Sequence, residues 1–224
     1  MRILLFSRYT RLGASSRLRS YQYLPFLRQN GIQVDVAPLF DDEYLLRLYN
    51  GRGKKIGSIL QAYLKRLSSL IHSRSYDRLW IEYELFPWLP EVFESICHHL
   101  KIPYIVDYDD AVFHRYDLSG RPLVRFLLKN KIDRIMERSA LTLAGNAYLC
   151  DRAINAGAEQ VELLPTVIDL DRYRLPSSER GSEFVIGWIG SPTTAEYLDE
   201  LQGVLARLCE DPEAAVHFVG AGMK

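Results

Sequence analysis

The fold is decided by 79-LWIEYELFPWLPEVFESICHHLKIPYIVDYDD-110. Leu79 to Tyr83 is short, apolar and rich in strand formers. Pro90 to Leu100 follows with helical spacing, and Pro103 to Val106 is a second apolar run that empties into Asp107, Asp109 and Asp110. Strand, helix, strand in this order predicts parallel strands covered by helices on both faces.

The same alternation extends outward in both directions. Toward the N-terminus, Arg2 to Ser7 predicts a strand and Gly13 a turn. Ser16 to Gln29 predicts a helix stopped by Asn30-Gly31, with a kink or late start at Pro25. Ile32 to Leu39 predicts a strand, and Ile56, Ile59, Leu60, Tyr63, Leu64, Leu67, Leu70 and Ile71 fall at helical spacing. Toward the C-terminus come a helix over Leu123 to Arg138, a strand over Leu141 to Ala144, a helix over Ala147 to Ala156 and a strand over Val161 to Leu164. The fold class expected is α/β, a doubly wound and mostly parallel Rossmann-like sheet over residues 1–170. In such sheets ligands bind beyond the carboxyl ends of the strands. That points to the loops 8–16, 84–90, 107–117, 145–148 and 165–169.

A polar stretch over 171–182 reads as a linker. Beyond it, 183–224 predicts the opening of a second Rossmann-like domain: strand Phe184–Ile189, a loop with an N-cap candidate at 190–194, helix Ala195–Cys209 and strand Ala215–Val219. One helix and two strands are too few for an independent core. The expectation is a truncated domain, or a piece that packs on the first domain or on a partner.

Composition removes several classes of function. Lys+Arg and Asp+Glu both total 28, so the net charge is zero and gives no electrostatic case for nucleic acid. Cys97, Cys150 and Cys209 are scattered and lack a CxxC pair, which suits a reducing compartment and predicts three buried thiols. The N-terminus reads as a strand, not a signal peptide, and no window approaches the roughly 20 apolar residues of a membrane span. The localisation expected is cytoplasmic, free or peripheral at the inner membrane face.

Several residues stand where these loops place chemistry. Gly13 with Ser15, Ser16 and Arg17 opens a helix after the first strand, where backbone N–H groups and a guanidinium, from Arg17 or Arg19, suit a phosphate. An ordinary turn is the alternative. Asp107, Asp109 and Asp110 crowd like charges at a strand end, a costly arrangement unless water, cations or ligand hydroxyls satisfy them. The alternative is that they cap the next helix or pair with Arg115 and Arg121. His114 lies close by. Glu82 and Glu84 would share a face if the strand continued, with Trp88 as a stacking surface, or they mark a strand end followed by a core tryptophan. Asn146 follows the strand LTLA as a ligand contact or a turn residue.

Taken in order, MRILLFS, GASSRLR, RQNG, IVDYDD, LAGNAYLCDRAINAG, LLPTVIDLDRY and VIGWIGSP resemble a retaining glycosyltransferase of the GT-B fold, family 4 type. The resemblance covers nearly the whole chain. It implies an N-terminal acceptor-binding domain, a C-terminal nucleotide-sugar domain continuing past Lys224, and catalysis in the cleft between them. It implies transfer of a sugar to a glycan, lipid-linked or small-molecule acceptor, without a cofactor beyond the donor. Asp109, Asp110 and His114 are then the catalytic candidates. The family often has His where this chain has Asp109, and His114 is the substitute at hand. Gly190, Ser191 and Thr194 would approach the donor diphosphate, although the family's usual Lys and Arg are not in this loop. Asp107-Tyr108-Asp109 is also a DxD, a pattern with which another glycosyltransferase fold holds a divalent metal.

Residues 44–78 carry Arg47, Arg52, Lys54, Lys55, Lys65, Arg66 and Arg74 on an amphipathic segment, which suits either an anionic membrane or a solvated helix face. The alternative to an enzyme is a non-catalytic module that binds a sugar, a nucleotide or a partner.

Overall fold

The computed structural model describes residues 1–50, 53, 55–172, 184–191 and 194–222. The chain divides into two compact units, Met1–Leu45 with Lys55–Asp169, and Leu46–Lys54 with Leu170–Lys224. From residue 173 the expected linker lies outside the described residues.

Along the chain the elements are β1 (Arg2–Phe6), α1 (Ala14–Arg19), α2 (Leu24–Gln29), β2 (Gln33–Val36), α3 (Asp42–Tyr49), α4 (Ile56–Ile71), β3 (Arg78–Glu82), α5 (Val92–His99), β4 (Tyr104–Tyr108), α6 (His114–Asp117), α7 (Pro122–Leu128), α8 (Lys131–Glu137), β5 (Leu141–Ala144), α9 (Ala147–Asn155) and β6 (Val161–Leu163). Strands β1 to β6 form one parallel sheet in the order β2-β1-β3-β4-β5-β6. The order reverses between β1 and β3, and in doubly wound sheets that switch point opens a crevice at the strands' carboxyl ends.

The two-residue period of the strands sorts side chains to two faces. Ile3, Leu5 and Trp80 pack with Leu24 and Leu27 of α2. Leu4, Phe6, Leu79, Ile81, Val106 and Tyr108 form the larger core with residues of α4, α5, α8 and α9. Continuing the first set by two residues puts Glu82 beside Asp107, its register partner, on the α1 and α2 face. Both faces are covered, so the strands are apolar almost throughout.

Three expected helices prove to be broken, one of them Ala195 to Cys209, which divides into a 3-10 segment Ala195–Leu201 and a helix Gln202–Leu208. Ser16 to Gln29 divides into α1, a 3-10 turn at Tyr21–Tyr23 and α2, with Pro25 in the first turn of α2 where its missing N–H does no harm. Leu123 to Arg138 divides into α7 and α8 around Lys129 and Asn130. The thiols also differ from expectation: Cys97 is buried, Cys150 half-buried and Cys209 exposed.

The second unit contains β7 (Phe184–Ile189), a 3-10 segment Ala195–Leu201, α10 (Gln202–Leu208) and β8 (Ala214–Val219), with β7 and β8 paired in parallel.

Candidate functional site

At the carboxyl ends of β1, β3 and β4 the carboxylates lie at two depths. The inner ones, Glu82, Glu84 and Asp107, are at most 3% exposed, and each is engaged from within. Glu82 accepts the Arg8 N–H at 3.0 Å and the Ser16 hydroxyl at 2.9 and 2.8 Å, while Ser16 Oγ accepts the Tyr9 N–H at 3.1 Å. These bonds fold the β1–α1 loop back onto β3. Gly13 completes the fold, because a Cβ there would lie 2.5 Å from Tyr9 Cβ. Burial pushes the Glu82 carboxyl up to about 7 against the pull of those donors, and the charges of Asp107 and Asp109 add to the rise.

Asp107 takes both Nε and Nη2 of Arg19, at 2.9 and 2.6 Å. The same guanidinium donates to the Leu164 carbonyl, tying α1 to the chain beyond β6. Burial raises the Asp107 carboxyl to about 6 in spite of Arg19. Glu84 receives Lys131 Nζ at 2.5 Å, the Tyr116 hydroxyl at 2.9 and 2.7 Å, and Arg8 at 3.5 Å. Burial acts to raise the Glu84 carboxyl, but Lys131 and Arg8 outweigh it and hold it below its ordinary value. Tyr83 ends β3 in the left-handed region at φ 63, so Glu82 and Glu84 reach separate partners and do not share a face. Arg66 is buried beneath this site and donates to the carbonyls of Ser7, Ala37 and Leu85, the last two at 3.1 and 3.4 Å. Burial lowers its pKa to about 9. The expected basic face of 44–78 therefore loses Arg66 to the core, and Arg52 and Lys54 lie outside the described residues.

The outer groups line the rim. Asp109 is half-buried and accepts the Tyr83 hydroxyl, whose pKa rises through burial and the Asp109 charge. Asp110 is exposed and accepts the Ala111 N–H at 2.9 Å. Gly145, after β5, approaches Asp109 so closely that a Cβ would lie 3.1 Å from Asp109 Cα. Asn146 is the N-cap of α9, accepting the Leu149 N–H at 3.0 Å and leaving its amide N–H groups exposed. His114 donates from Nδ1 to Asp117 at 2.9 Å, and its Nε2 meets the Tyr148 hydroxyl at 2.7 Å. A carboxylate-oriented imidazole against a hydroxyl is an arrangement that can move a hydroxyl proton.

The remaining expected residues separate. Ser15 acts on the Tyr83 hydroxyl. Arg17 turns to the carbonyls of Arg11 and Leu12, at 3.3 and 3.5 Å. In the second unit, Thr194 Oγ1 accepts the Ser191 N–H at 3.0 Å and donates to the Ser191 carbonyl at 3.1 Å, so it closes its own turn and does not cap a helix. Gly190 fits there because a Cβ would lie 2.4 Å from the Trp188 ring. Arg115 and Arg121 pair with none of the three aspartates among the described residues. Among those residues, no group of three His, Cys, Asp or Glu is placed to hold a metal. Asp107 and Asp109, the two carboxylates of the DxD, are turned to Arg19 and Tyr83.

Arg8, Tyr83, Tyr116 and Lys131 were not foreseen, and Arg19, expected with Arg17 as a phosphate contact, instead holds Asp107. For Lys131 the signal was present: it stands four residues before Ile135, on the face of α8 that buries Ile132, Ile135 and Met136.

No family model and no curated protein matches the sequence. Solved structures do match. UDP-GlcNAc 2-epimerase from Neisseria meningitidis, bound to UDP-GlcNAc, is 11% identical with a TM-score of 0.57, over 97% of this chain and 65% of that one. The S. aureus MnaA–UDP structure is 12% identical with a TM-score of 0.59, over 97% and 61%. Arabidopsis thaliana UGT89C1, complexed with UDP-L-rhamnose, is 11% identical with a TM-score of 0.50, over 99% and 69%. The chain spans 65% and 61% of the length of the first two. At these identities the likeness establishes the fold, a mostly parallel Rossmann-like α/β arrangement of GT-B type.

Proposed function

We propose that the protein is a nucleotide-sugar-dependent glycosyltransferase, transferring a sugar with retention to a glycan, lipid-linked or small-molecule acceptor. The observation that carries this reading is the rim at the ends of β3, β4 and β5. There Asp109, Asp110, His114 and Asn146 offer acceptors and donors for hydroxyls on a scaffold fixed by buried ion pairs. Preorganised polar groups of this kind position a substrate hydroxyl. The fold likeness to proteins solved with UDP, UDP-GlcNAc and UDP-L-rhamnose supports a uridine-diphosphate donor. In this reading residues 1–170 take the acceptor. Residues 183–224 open the donor domain, with Gly190, Ser191 and Thr194 near the diphosphate. The protein works in the cytoplasm, free or peripheral at the inner membrane face, without a resident cofactor.

The internal engagement of Glu82, Glu84 and Asp107 favours a second reading, a module that binds a nucleotide-sugar without turnover. Incubating the full-length protein with a set of UDP-sugars and candidate acceptors, with products followed by mass spectrometry and NMR, separates the two. Transfer with the donor's anomeric configuration kept supports the proposal. Binding without product supports the module, and conversion of the free UDP-sugar to an epimer would replace both.

A further inference from the structure

Helix α7 reads PLVRFLL and turns the wrong side outward for a soluble surface. Phe126 is 78% exposed, Leu123 69% and Leu127 54%, and Leu118 just before the helix is 70% exposed. Only Val124 and Leu128 face the larger core. Leu123, Phe126 and Leu127 are spaced i, i+3, i+4, so they form one stripe. Arg121, Arg125 and Lys129, at i, i+4, i+8, form a second stripe on the other flank of the helix, which comes nearest the first where Lys129 stands three residues from Phe126, and all three are exposed. None has an ion-pair partner among the described residues, because the charged groups near by are already matched. Asp117 is held by His114 and Arg152, Asp133 by Arg152, Glu91 by Arg134, and Lys131 turns inward to Glu84. From Leu118 to Ile132 the sequence contains no acid. Helix α6 packs against α7, and its Tyr116 holds the ring of Trp88 edge-on at 5.5 Å. Trp88 is itself half-exposed and held in the left-handed region at φ 64.

We infer that α7, with Leu118 and Trp88 beside it, docks on an anionic lipid surface. Charge chooses the occupant. An apolar stripe with a cationic flank and no acid lets the aliphatic and aromatic groups enter the acyl boundary while the guanidinium and ammonium heads reach anionic headgroups. A tryptophan with one apolar edge belongs at that boundary. The site's rim begins at His114, at the start of α6, so a chain seated this way meets the bilayer close to its candidate acceptor groups. This sharpens the peripheral location proposed above, yet it is read without any turnover, so either claim can fail alone.

The test is co-sedimentation of the full-length protein with vesicles of phosphatidylglycerol mixed into phosphatidylcholine, against phosphatidylcholine alone, at low and physiological salt. Binding is expected only to the anionic vesicles and to weaken with salt. Arg121→Gln/Arg125→Gln/Lys129→Gln should lower the partition coefficient on the order of a hundredfold, from about 1 kcal/mol per cation. Leu123→Ser/Phe126→Ser should lower it at least about tenfold. Should the serine variant misfold, the charge variant carries the test, since its positions are exposed. Leu60→Ser/Leu64→Ser on α4, which also bears exposed leucines, should bind as the parent does. No binding to anionic vesicles, parent-level binding by the α7 variants, or loss confined to the α4 variant overturns the inference. So does self-association abolished by the α7 changes, which would make the occupant a second copy.

Discussion

Glu82 and Asp107 face Asp109 and Asp110 across a few residues of the same strand ends, yet the two pairs do opposite things. The inner pair is buried among Ser16, Arg8 N–H and Arg19, and fixes α1 and its preceding loop to the sheet. The outer pair stands at the rim, with Asp110 open to solvent. Depth, not residue type, divides carboxylates that build the site from carboxylates free to meet a ligand. A buried charge is tolerated only with a partner, so each inner acid brings its own cation or donors.

The largest expected effect comes from breaking the inner row. Arg19→Met leaves Asp107 buried with a charge and no cation, which should cost about 3–5 kcal/mol and lower the melting temperature on the order of 10 °C. Adding Asp107→Asn to it should restore part of that loss. If the single variant melts like the parent, the ion pair does not hold α1.

The next effect is one of pH. The Glu82 carboxyl is raised from 4.5 to about 7 and that of Asp107 from 3.8 to about 6. Between these values the native state keeps protons that the unfolded chain has released. Stability contributed by these groups is therefore full below about pH 4, falls as pH rises, and is lost above about 7. Glu82→Gln should flatten this slope, removing a change of about 3 kcal/mol between pH 4.5 and 7. Denaturant melts across that range decide it, and an unchanged slope counts against a neutral Glu82.

A smaller effect belongs to the α9 cap. Asn146→Ala should cost about 1 kcal/mol by leaving the Leu149 N–H without its partner. A larger weakening of nucleotide-sugar binding in the same variant would show that the side chain serves both the cap and a ligand. At the rim itself Asp110→Asn should stay within about 0.5 kcal/mol of the parent, since its carboxylate supports only the Ala111 N–H.

Much of the scaffold was legible in the sequence, because strands buried on both faces are unbroken apolar runs and the residues after them fall at one edge of the sheet. The breaks at Ser20 and at Asn130 were not legible, since apolar spacing continues straight through both. The site was legible only as a neighbourhood. IVDYDD announced a carboxylate cluster at a strand end, but pattern alone cannot say which side chain finds a distant cation. Arg19 reaches Asp107 from 88 residues away. Arg66 reads as part of a basic face although it shares a helix side with Tyr63 and Leu70, and that shared side was the available clue. Arg17 and Arg19 both follow the same glycine, and only burial separates them.

The central claim, that the inner row builds and the outer row positions the acceptor hydroxyl for transfer from a nucleotide-sugar, is tested most directly by turnover of UDP-sugars by the full-length protein and its Asp109→Asn/Asp110→Asn variant, each melted in parallel. The expected result is sugar transfer by the parent, and a variant that has lost at least about a hundredfold in rate while melting within a few degrees of it. A variant that transfers as the parent does, or a parent that consumes no UDP-sugar, contradicts the account.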